Sequence, residues 1–325
     1  MTDRPIRWGV LGTGQIARIF TEDLLRLPGH EVTAVGSRSP TTAAAFADRY
    51  GIATAHGSWA DLAADDRIDV VYVATPHSAH RAAALHCLAA GRNVLVEKPF
   101  ATNAADAADI IALARDRGLF AMEAMWTRFN PLIRQLRALV AEGAIGRIEA
   151  VYADFSFAAA FDPEHRLWSP GLAGGALLDI GVYPLSLAWM LLGEPVSVQA
   201  TAAHAPTGVD ANTGILLGYA SGAVALLHCG LRAESPQTAT VVGTAGRLEL
   251  PAPFYNPAAL VLHRPGTPTE TFRCAFEGHG YTFQAEEVAA RLREGALESP
   301  LMPLDETHAI LRTLDAIAAR LAPPA

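Results

Sequence analysis

Residues 6–17, IRWGVLGTGQIA, place a short apolar run, a glycine-x-glycine-x-x-alanine turn and the start of a helix in direct succession. Few folds accept that order. Gly12 permits a tight turn, Gly14 lets a ligand approach the backbone, and Ala17 is small where a helix must lie close to a sheet. The new helix then offers unpaired N–H groups and the positive end of its dipole. Alone, such a motif is weak. Here it opens an alternating series. HEVTAVGS (30–37), DVVYVAT (69–75), NVLVEK (93–98) and LFAMEA (119–124) read as strands. The stretches between them read as helices, stopped by Gly51 and Gly91, and by Gly118 after a helix capped by Asn103. Short apolar strands alternating with helices imply a parallel sheet covered on both faces.

After about Met125 the pattern changes. A helix over 131–142 leads into alternating segments at 147–157, 196–204, 213–220, 222–230 and 239–250, with glycine-containing turns. These read as antiparallel strands. Between them lies one apolar helical stretch, GGALLDIGVYPLSLAWMLLG (174–193), followed later by a proline-rich loop (251–258) and helices over 282–294 and 305–321. The expected fold is α/β: an N-terminal Rossmann domain (1–125) with a doubly wound parallel sheet, then an α+β domain (126–325) with a large, mainly antiparallel, open-faced sheet.

Composition narrows the function classes. About half of the 325 residues (51%) are apolar, and the net charge is −8. No Lys/Arg-rich run occurs, which disfavours nucleic acid as a partner. The three cysteines, Cys87, Cys229 and Cys274, are widely spaced and form no CxxC, as expected of a reduced, cytoplasmic protein. The N-terminal residues lead straight into a strand with no signal-peptide pattern. No uncharged apolar run of ~20 residues is evident, so no membrane span is expected.

The motif GTGQIA makes Gly12, Thr13, Gly14, Gln15 and Ile16 candidates for holding a dinucleotide pyrophosphate. Chains that bind NAD usually place a carboxylate at the end of the second strand for the ribose 2′-OH. This chain has Gly36-Ser37-Arg38-Ser39. Ser37 can donate to a 2′-phosphate and Arg38 can pair with it, so NADP is expected before NAD. If Arg38 is only a solvated loop cation, either cofactor serves.

Glu97-Lys98-Pro99 falls at the carboxyl end of a strand, where open α/β sheets bind ligands. Lys98 would then stand beside the nicotinamide. Asp179 and Tyr183 lie four apart in an otherwise apolar helical stretch. A buried aspartate and a buried phenol both want partners. A lysine beside the phenol would lower its pKa from its usual ~10 and fit it for proton transfer. The plain alternatives are a solvent lysine at a strand tip and a structural Tyr–Asp pair.

The segments GTGQIA, TPHSAH, AAGRNVLVEKPFATN, EAMWTRFNP and GGALLDIGVYPL, in this order, resemble the glucose–fructose oxidoreductase/inositol dehydrogenase (Gfo/Idh/MocA) family. The likeness is greatest to the branch that holds dimeric dihydrodiol dehydrogenase and NADP-dependent D-xylose dehydrogenase. It spans roughly Arg7 to Gly193, with a further familiar segment at 280–288. The resemblance implies that Lys98 adjoins the nicotinamide, that Tyr183 replaces the family's usual histidine as acid–base, and that Asp179 binds the reacting hydroxyl. It implies that Thr75, Pro76 and His80 border the cofactor, and that Trp126 and Arg128 approach nicotinamide and substrate; Glu97, beside Lys98, is counted with the cofactor-binding candidates, with the capping of local hydrogen bonds as its plain alternative. It also implies a homodimer or homotetramer formed through the C-terminal sheet.

Other residues read less sharply. Phe155, Phe157 and Trp168 can wall a substrate pocket or fill the core. His279 and Tyr281 can reach a pocket or belong to a surface loop. His77 and His80 have zinc-like spacing but no evident third ligand. The expected activity is hydride exchange between NADP and a secondary alcohol or hemiacetal of a sugar, polyol or cyclic diol, first of all a D-xylose-type aldose 1-dehydrogenase. The alternatives are a trans-dihydrodiol dehydrogenase and a dicarbonyl or keto-sugar reductase. From other classes come an NADP-binding sensor and a redox-neutral NAD-dependent glycosidase.

Overall fold

A computed structural model describes residues 4–321. The chain runs β1 (Ile6–Leu11), α1 (Gln15–Leu24), β2 (His30–Gly36), α2 (Pro40–Tyr50), β3 (Thr54–His56), α3 (Trp59–Ala64), β4 (Val70–Val73), α4 (His80–Ala89), β5 (Asn93–Glu97), α5 (Ala104–Arg117) and β6 (Ala121–Ala124). It continues with α6 (Pro131–Ala141), β7 (Ile148–Ser156), α7 (Val182–Leu192), β8 (Ser197–His204), β9 (Asp210–Gly218), β10 (Val224–Gly230), β11 (Ala239–Gly243), β12 (Gly246–Leu250), β13 (Ala259–His263) and β14 (Glu270–Arg273). Helices α8 (Thr282–Glu294) and α9 (Leu304–Leu321) follow. Two compact units form: one from the chain up to Trp126 together with Glu277–His308, the other from Thr127–Phe276 together with the chain from Ala309.

The first unit holds a six-stranded sheet in the order β3-β2-β1-β4-β5-β6. Every pairing is parallel. Val70–Val73 of β4 are wholly buried, as a strand covered on both faces requires. The strand order reverses between β1 and β4, the place where such sheets bind ligands. Asn103 caps α5 by accepting the Asp106 N–H at 2.8 Å. The returning segment is tied to α1 by a buried carboxylate: Asp23 accepts the N–H groups of His279 and Tyr281, each at 2.8 Å.

The second unit holds an eight-stranded sheet in the order β14-β13-β12-β11-β7-β10-β9-β8. Only β7 and β10 pair parallel; the other pairings are antiparallel. Its two faces follow the alternation of its strands. Val241, Val151, Ala225 and Leu217 form one row across β11, β7, β10 and β9, and all are fully buried. On the other face the matching row is Thr240, Tyr152, Leu226 and Leu216, of which Tyr152 (47%), Leu226 (42%) and Leu216 (39%) are well exposed. α7 packs on β7 and β10.

Some elements differ from expectation. The apolar stretch 174–193 is not one regular helix: a π turn, Leu177–Gly181, precedes α7. A Cβ on Gly181 would stand 2.8 Å from the Cys229 sulfur of β10, so the chain is pressed close to the sheet there. Taken as Pro170–Leu192, this stretch is long and apolar enough to cross a membrane by length and composition, although Asp179 interrupts it, so it is not an uncharged run of the kind expected to be absent. Of its apolar 18-residue window, 78% is buried inside the protein, as in a core helix. Strands β3, β13 and β14 and helix α3 are additions. They are short, and β3 and β14 carry polar residues whose alternation is too brief to read.

Candidate active site

In the first unit, the turn after β1 behaves as its glycines demand. Gly12 has φ +118°, and a Cβ there would meet the Ala74 carbonyl oxygen at 2.5 Å. Gly14 is different. A Cβ there would touch nothing within 4 Å, so the protein's own packing does not require glycine. Gly14 is also the N-cap of α1 and supplies no side-chain cap to the first-turn N–H groups. Thr13 and Ile16 are half-buried and Gln15 is exposed. Across the switch point, Thr75 is buried and its hydroxyl has no hydrogen-bond partner among the described residues. An open glycine, an uncapped helix end and an orphaned hydroxyl fit a bound dinucleotide.

Pro76 starts a 3-10 turn into α4. His80 is fully buried, with one ring nitrogen 2.8 Å from the Pro99 carbonyl oxygen and the other 2.9 Å from that of Thr75. Burial lowers its pKa to about 4, against the two carbonyl contacts, which act the other way. It is a strut that ties the end of β4 to the segment after β5. Any effect of His80 on the cofactor passes through those two strand ends. The Lys98–Pro99 bond is cis. Glu97 turns inward: Oε1 accepts the Tyr72 hydroxyl at 2.5 Å, and Oε2 accepts the Lys98 N–H at 3.1 Å. Lys98 itself is half-buried. At the end of β2, the Ser37 hydroxyl lies 2.9 Å from that of Thr42, and Arg38 is exposed. Trp126 stacks on Tyr281, with ring centroids 4.4 Å apart. His279 is exposed, with its ring 3.5 Å from Glu22 of α1.

In the second unit, Arg128 is buried and donates from Nε to the Ser186 hydroxyl at 2.9 Å and from Nη2 to the Ser186 carbonyl at 3.0 Å. It is thereby fixed to α7. Tyr183, in the first turn of α7, packs tilted against Phe155 (5.5 Å between centroids) and Tyr255 (5.7 Å). Phe155 and Tyr255 stack at 4.2 Å, and the three rings make one aromatic wall. Phe157 adjoins Phe155 at 6.3 Å. Trp168 is buried, and its indole N–H donates to the Ala160 carbonyl at 2.8 Å. Asp179 is buried in the π turn and accepts from Arg166 Nη1 at 2.9 Å. Opposite charge and a charge-assisted hydrogen bond offset part of the cost of burying that carboxylate.

Two family models match the chain: the oxidoreductase family with an NAD-binding Rossmann fold over residues 6–125, and the GFO/IDH/MocA C-terminal domain over residues 133–249. The chain belongs to the Gfo/Idh/MocA family. It is an NAD(P)-dependent oxidoreductase. It is similar to trans-1,2-dihydrobenzene-1,2-diol dehydrogenase from Bos taurus, 37% identical over 323 residues and 96% of each chain. The same enzyme from Homo sapiens is 37% identical over 324 residues, again 96% of each chain. Among solved structures it is similar to KijD10, a 3-ketoreductase from Actinomadura kijaniata in complex with NADP and TDP-benzene. That structure shows 30% identity and a TM-score of 0.87 over 98% of both chains. An aldose-aldose oxidoreductase from Caulobacter crescentus, complexed with glycerol, is 26% identical, with a TM-score of 0.88 over 98% of this chain and 97% of that one.

Three neighbours of the family's motif residues are not marked by the sequence. Arg166 lies in an irregular segment with no periodicity to give it a direction. Tyr255 lies in the proline-rich loop 251–258, where its ring contacts are made by the fold. Asp210 opens β9 and accepts the Leu177 N–H at 2.8 Å and the Thr213 hydroxyl at 2.7 Å. A carboxylate just after a glycine turn and just before an alternating strand is the one sequence signal that points to it.

Proposed function

We propose that this Gfo/Idh/MocA oxidoreductase exchanges a hydride between NADP and a secondary alcohol carbon of a cyclic substrate bearing neighbouring hydroxyls, either an aldose at its hemiacetal carbon or a dihydrodiol. The observation that carries the reading is the placement of Tyr183 in an aromatic wall immediately after the turn that bears Asp179. Apolar rings of that kind suit the C–H faces of a sugar or a cyclic diol. Bound NADP supplies the hydride acceptor. Tyr183 takes the hydroxyl proton as the carbonyl forms, Lys98 favours the phenolate, and Asp179 orients the hydroxyl. Ser37 and Arg38 hold the 2′-phosphate.

The names of the curated relatives support the diol substrate, and the aldose-aldose oxidoreductase supports the sugar. The exposed face of the eight-stranded sheet, with Tyr152, Leu216 and Leu226, is proposed as the contact between copies in a homodimer or homotetramer.

The test is to mix the protein with NADP or NAD and a panel of aldoses, polyols and cyclic diols, and to follow reduced nicotinamide by absorbance. Turnover that Tyr183→Phe abolishes while NADP still binds supports the assignment. Turnover unchanged in Tyr183→Phe overturns the role of the phenol. Absence of turnover in both directions, with NADP bound, favours the sensor. Glycoside cleavage without net reduced cofactor favours the glycosidase.

A further inference from the structure

Asp179 and Arg166 make an unequal pair. The carboxylate side chain is 5% exposed and the guanidinium side chain 51%. Arg166 reaches Asp179 through Nη1 at 2.9 Å and Nη2 at 3.5 Å. A guanidinium has five N–H donors in a rigid fork. Those not turned to Asp179 have no protein partner among the described residues. The backbone that carries Arg166 is also fixed. The Leu167 carbonyl accepts the Gly175 N–H at 2.9 Å, and a Cβ on Gly174 would meet the Arg166 carbonyl oxygen at 2.6 Å. The Gly174–Gly175 turn leads directly to Leu177 and Asp179, so the arginine is held to the turn by its main chain as well as by its side chain.

From this we infer that Arg166 is a specificity-determining residue that donates to a second substrate hydroxyl, the one vicinal to the reacting hydroxyl held by Asp179. The inference rests on the function proposed above. One residue-to-residue contact sets the geometry: vicinal hydroxyls are adjacent on the substrate, and the carboxylate and the guanidinium that would serve them are adjacent on the protein. The pair is neutral as a whole, which fits an uncharged polyhydroxylated substrate better than a sugar phosphate or a sugar acid. A substrate lacking the second hydroxyl leaves the outward N–H groups of Arg166 without an acceptor from the ligand.

The experiment compares matched substrates with NADP: D-glucose against 2-deoxy-D-glucose, and trans-1,2-cyclohexanediol against cyclohexanol. They are assayed on the wild type, Arg166→Met and Arg166→Lys. A hydrogen bond from a charged donor predicts a kcat/KM loss of roughly tenfold to a hundredfold in Arg166→Met for the vicinal substrate, mostly in KM. Removing the counter-ion of Asp179 also costs the deoxy or mono-hydroxy partner, chiefly in kcat, so the inference predicts a clearly smaller kcat/KM loss for that partner than for the vicinal substrate, and partial recovery in Arg166→Lys. Equal losses for both partners of a pair, falling on kcat, would reduce Arg166 to a counter-ion of Asp179 and overturn the inference. So would a wild type that does not discriminate within a pair, a result that needs no variant to fold. Failure of the wild type on every diol and sugar, in both directions, is a separate result: it overturns the proposed function and this inference with it.

Discussion

Asp210, at the start of β9, accepts the N–H of Leu177 at 2.8 Å, so a strand of the second sheet anchors the π turn that carries Asp179. The same carboxylate oxygen takes the Thr213 hydroxyl at 2.7 Å. Burial pushes the Asp210 pKa up, against both of these bonds. Gly175 has φ +116°, and its missing side chain leaves the room that the Asp210 carboxylate fills. Asp210→Ala leaves two buried donors unpaired, at a cost of about 1–3 kcal/mol each. The expected outcome is a lower Tm and a lower kcat, with NADP affinity unchanged. Asp210→Asn keeps an oxygen for Leu177 and restores much of both. Thermal unfolding and single-substrate kinetics on the two variants check this; a wild-type Tm in Asp210→Ala would show that the anchor does not hold the turn.

Tyr72 and Glu97 answer why a carboxylate stands before Lys98. The glutamate is buried and receives the Tyr72 hydroxyl and the Lys98 N–H, so it fixes the backbone from which Lys98 departs. Tyr72→Phe removes one of these donors from a buried carboxylate. We expect a stability loss of about 1–3 kcal/mol and a kcat reduced more than KM is raised. Chemical denaturation together with steady-state kinetics measures both. A variant that loses stability yet keeps full kcat would confine Glu97 to the core.

The buried imidazole of His80 makes the fold acid-sensitive. Its folded pKa of about 4 lies below the ordinary 6.5, because burial disfavours the charged ring. The unfolded chain therefore binds a proton in a window where the folded chain does not. The stabilisation is fully present above pH 6.5 and is lost as pH falls from 6.5 towards 4, by about 3 kcal/mol across the window. His30, partly buried and also lowered to about 4, acts in the same direction. Tm measured from pH 7.5 to 4.5 should fall in the wild type. His80→Gln should start lower at pH 7.5 and show a shallower decline. Parallel curves for the two proteins would remove His80 from the account.

The parts of this molecule that are legible in the amino-acid sequence are those governed by local rules. Gly12 and Ala17 are dictated by a turn and a close helix contact, Asn103 by an unpaired helix end, and the alternation in β7–β12 by a sheet with two unlike faces. The fold class and the family follow from these. What stays hidden depends on long-range contact. Nothing near Arg166 in the chain says that it will pair with Asp179, thirteen residues on and past a double-glycine turn. Nothing near Tyr255 says that it will stack on Phe155, a hundred residues earlier. The π turn is hidden for the same reason, since Cys229 and Asp210, which press and anchor it, belong to other strands.

Cofactor choice should rest on the end of β2. Arg38 is exposed, and no carboxylate lies in the 36–39 stretch to receive a ribose 2′-OH. Arg38→Ala should raise KM for NADP roughly tenfold to a hundredfold, as expected for loss of a charge-assisted phosphate contact, and leave KM for NAD nearly unchanged. The ratio of kcat/KM for the two cofactors, measured with one substrate, reads this directly. A proportional loss with both would mean that Arg38 supports the loop and does not recognise the 2′-phosphate.

Finally, the row Thr240, Tyr152, Leu226 and Leu216 predicts how copies associate. These residues lie side by side on four neighbouring strands, and three of them are large, apolar in their bulk and well exposed. A shallow groove of about 590 Å³ runs over the same face, lined also by Gln199 and His228. Leu226→Glu places a charge at the middle of that row, and in an assembled protein the charge would be buried without a partner. The fold of one chain should tolerate it, because the side chain already points away from the core. Light scattering after size exclusion should therefore show an oligomer for the wild type and a monomer for Leu226→Glu at the same concentration, with Tm lowered only by loss of the assembly. A wild type that is itself monomeric at tens of micromolar, or a Leu226→Glu variant of unchanged mass, would move the interface to another face.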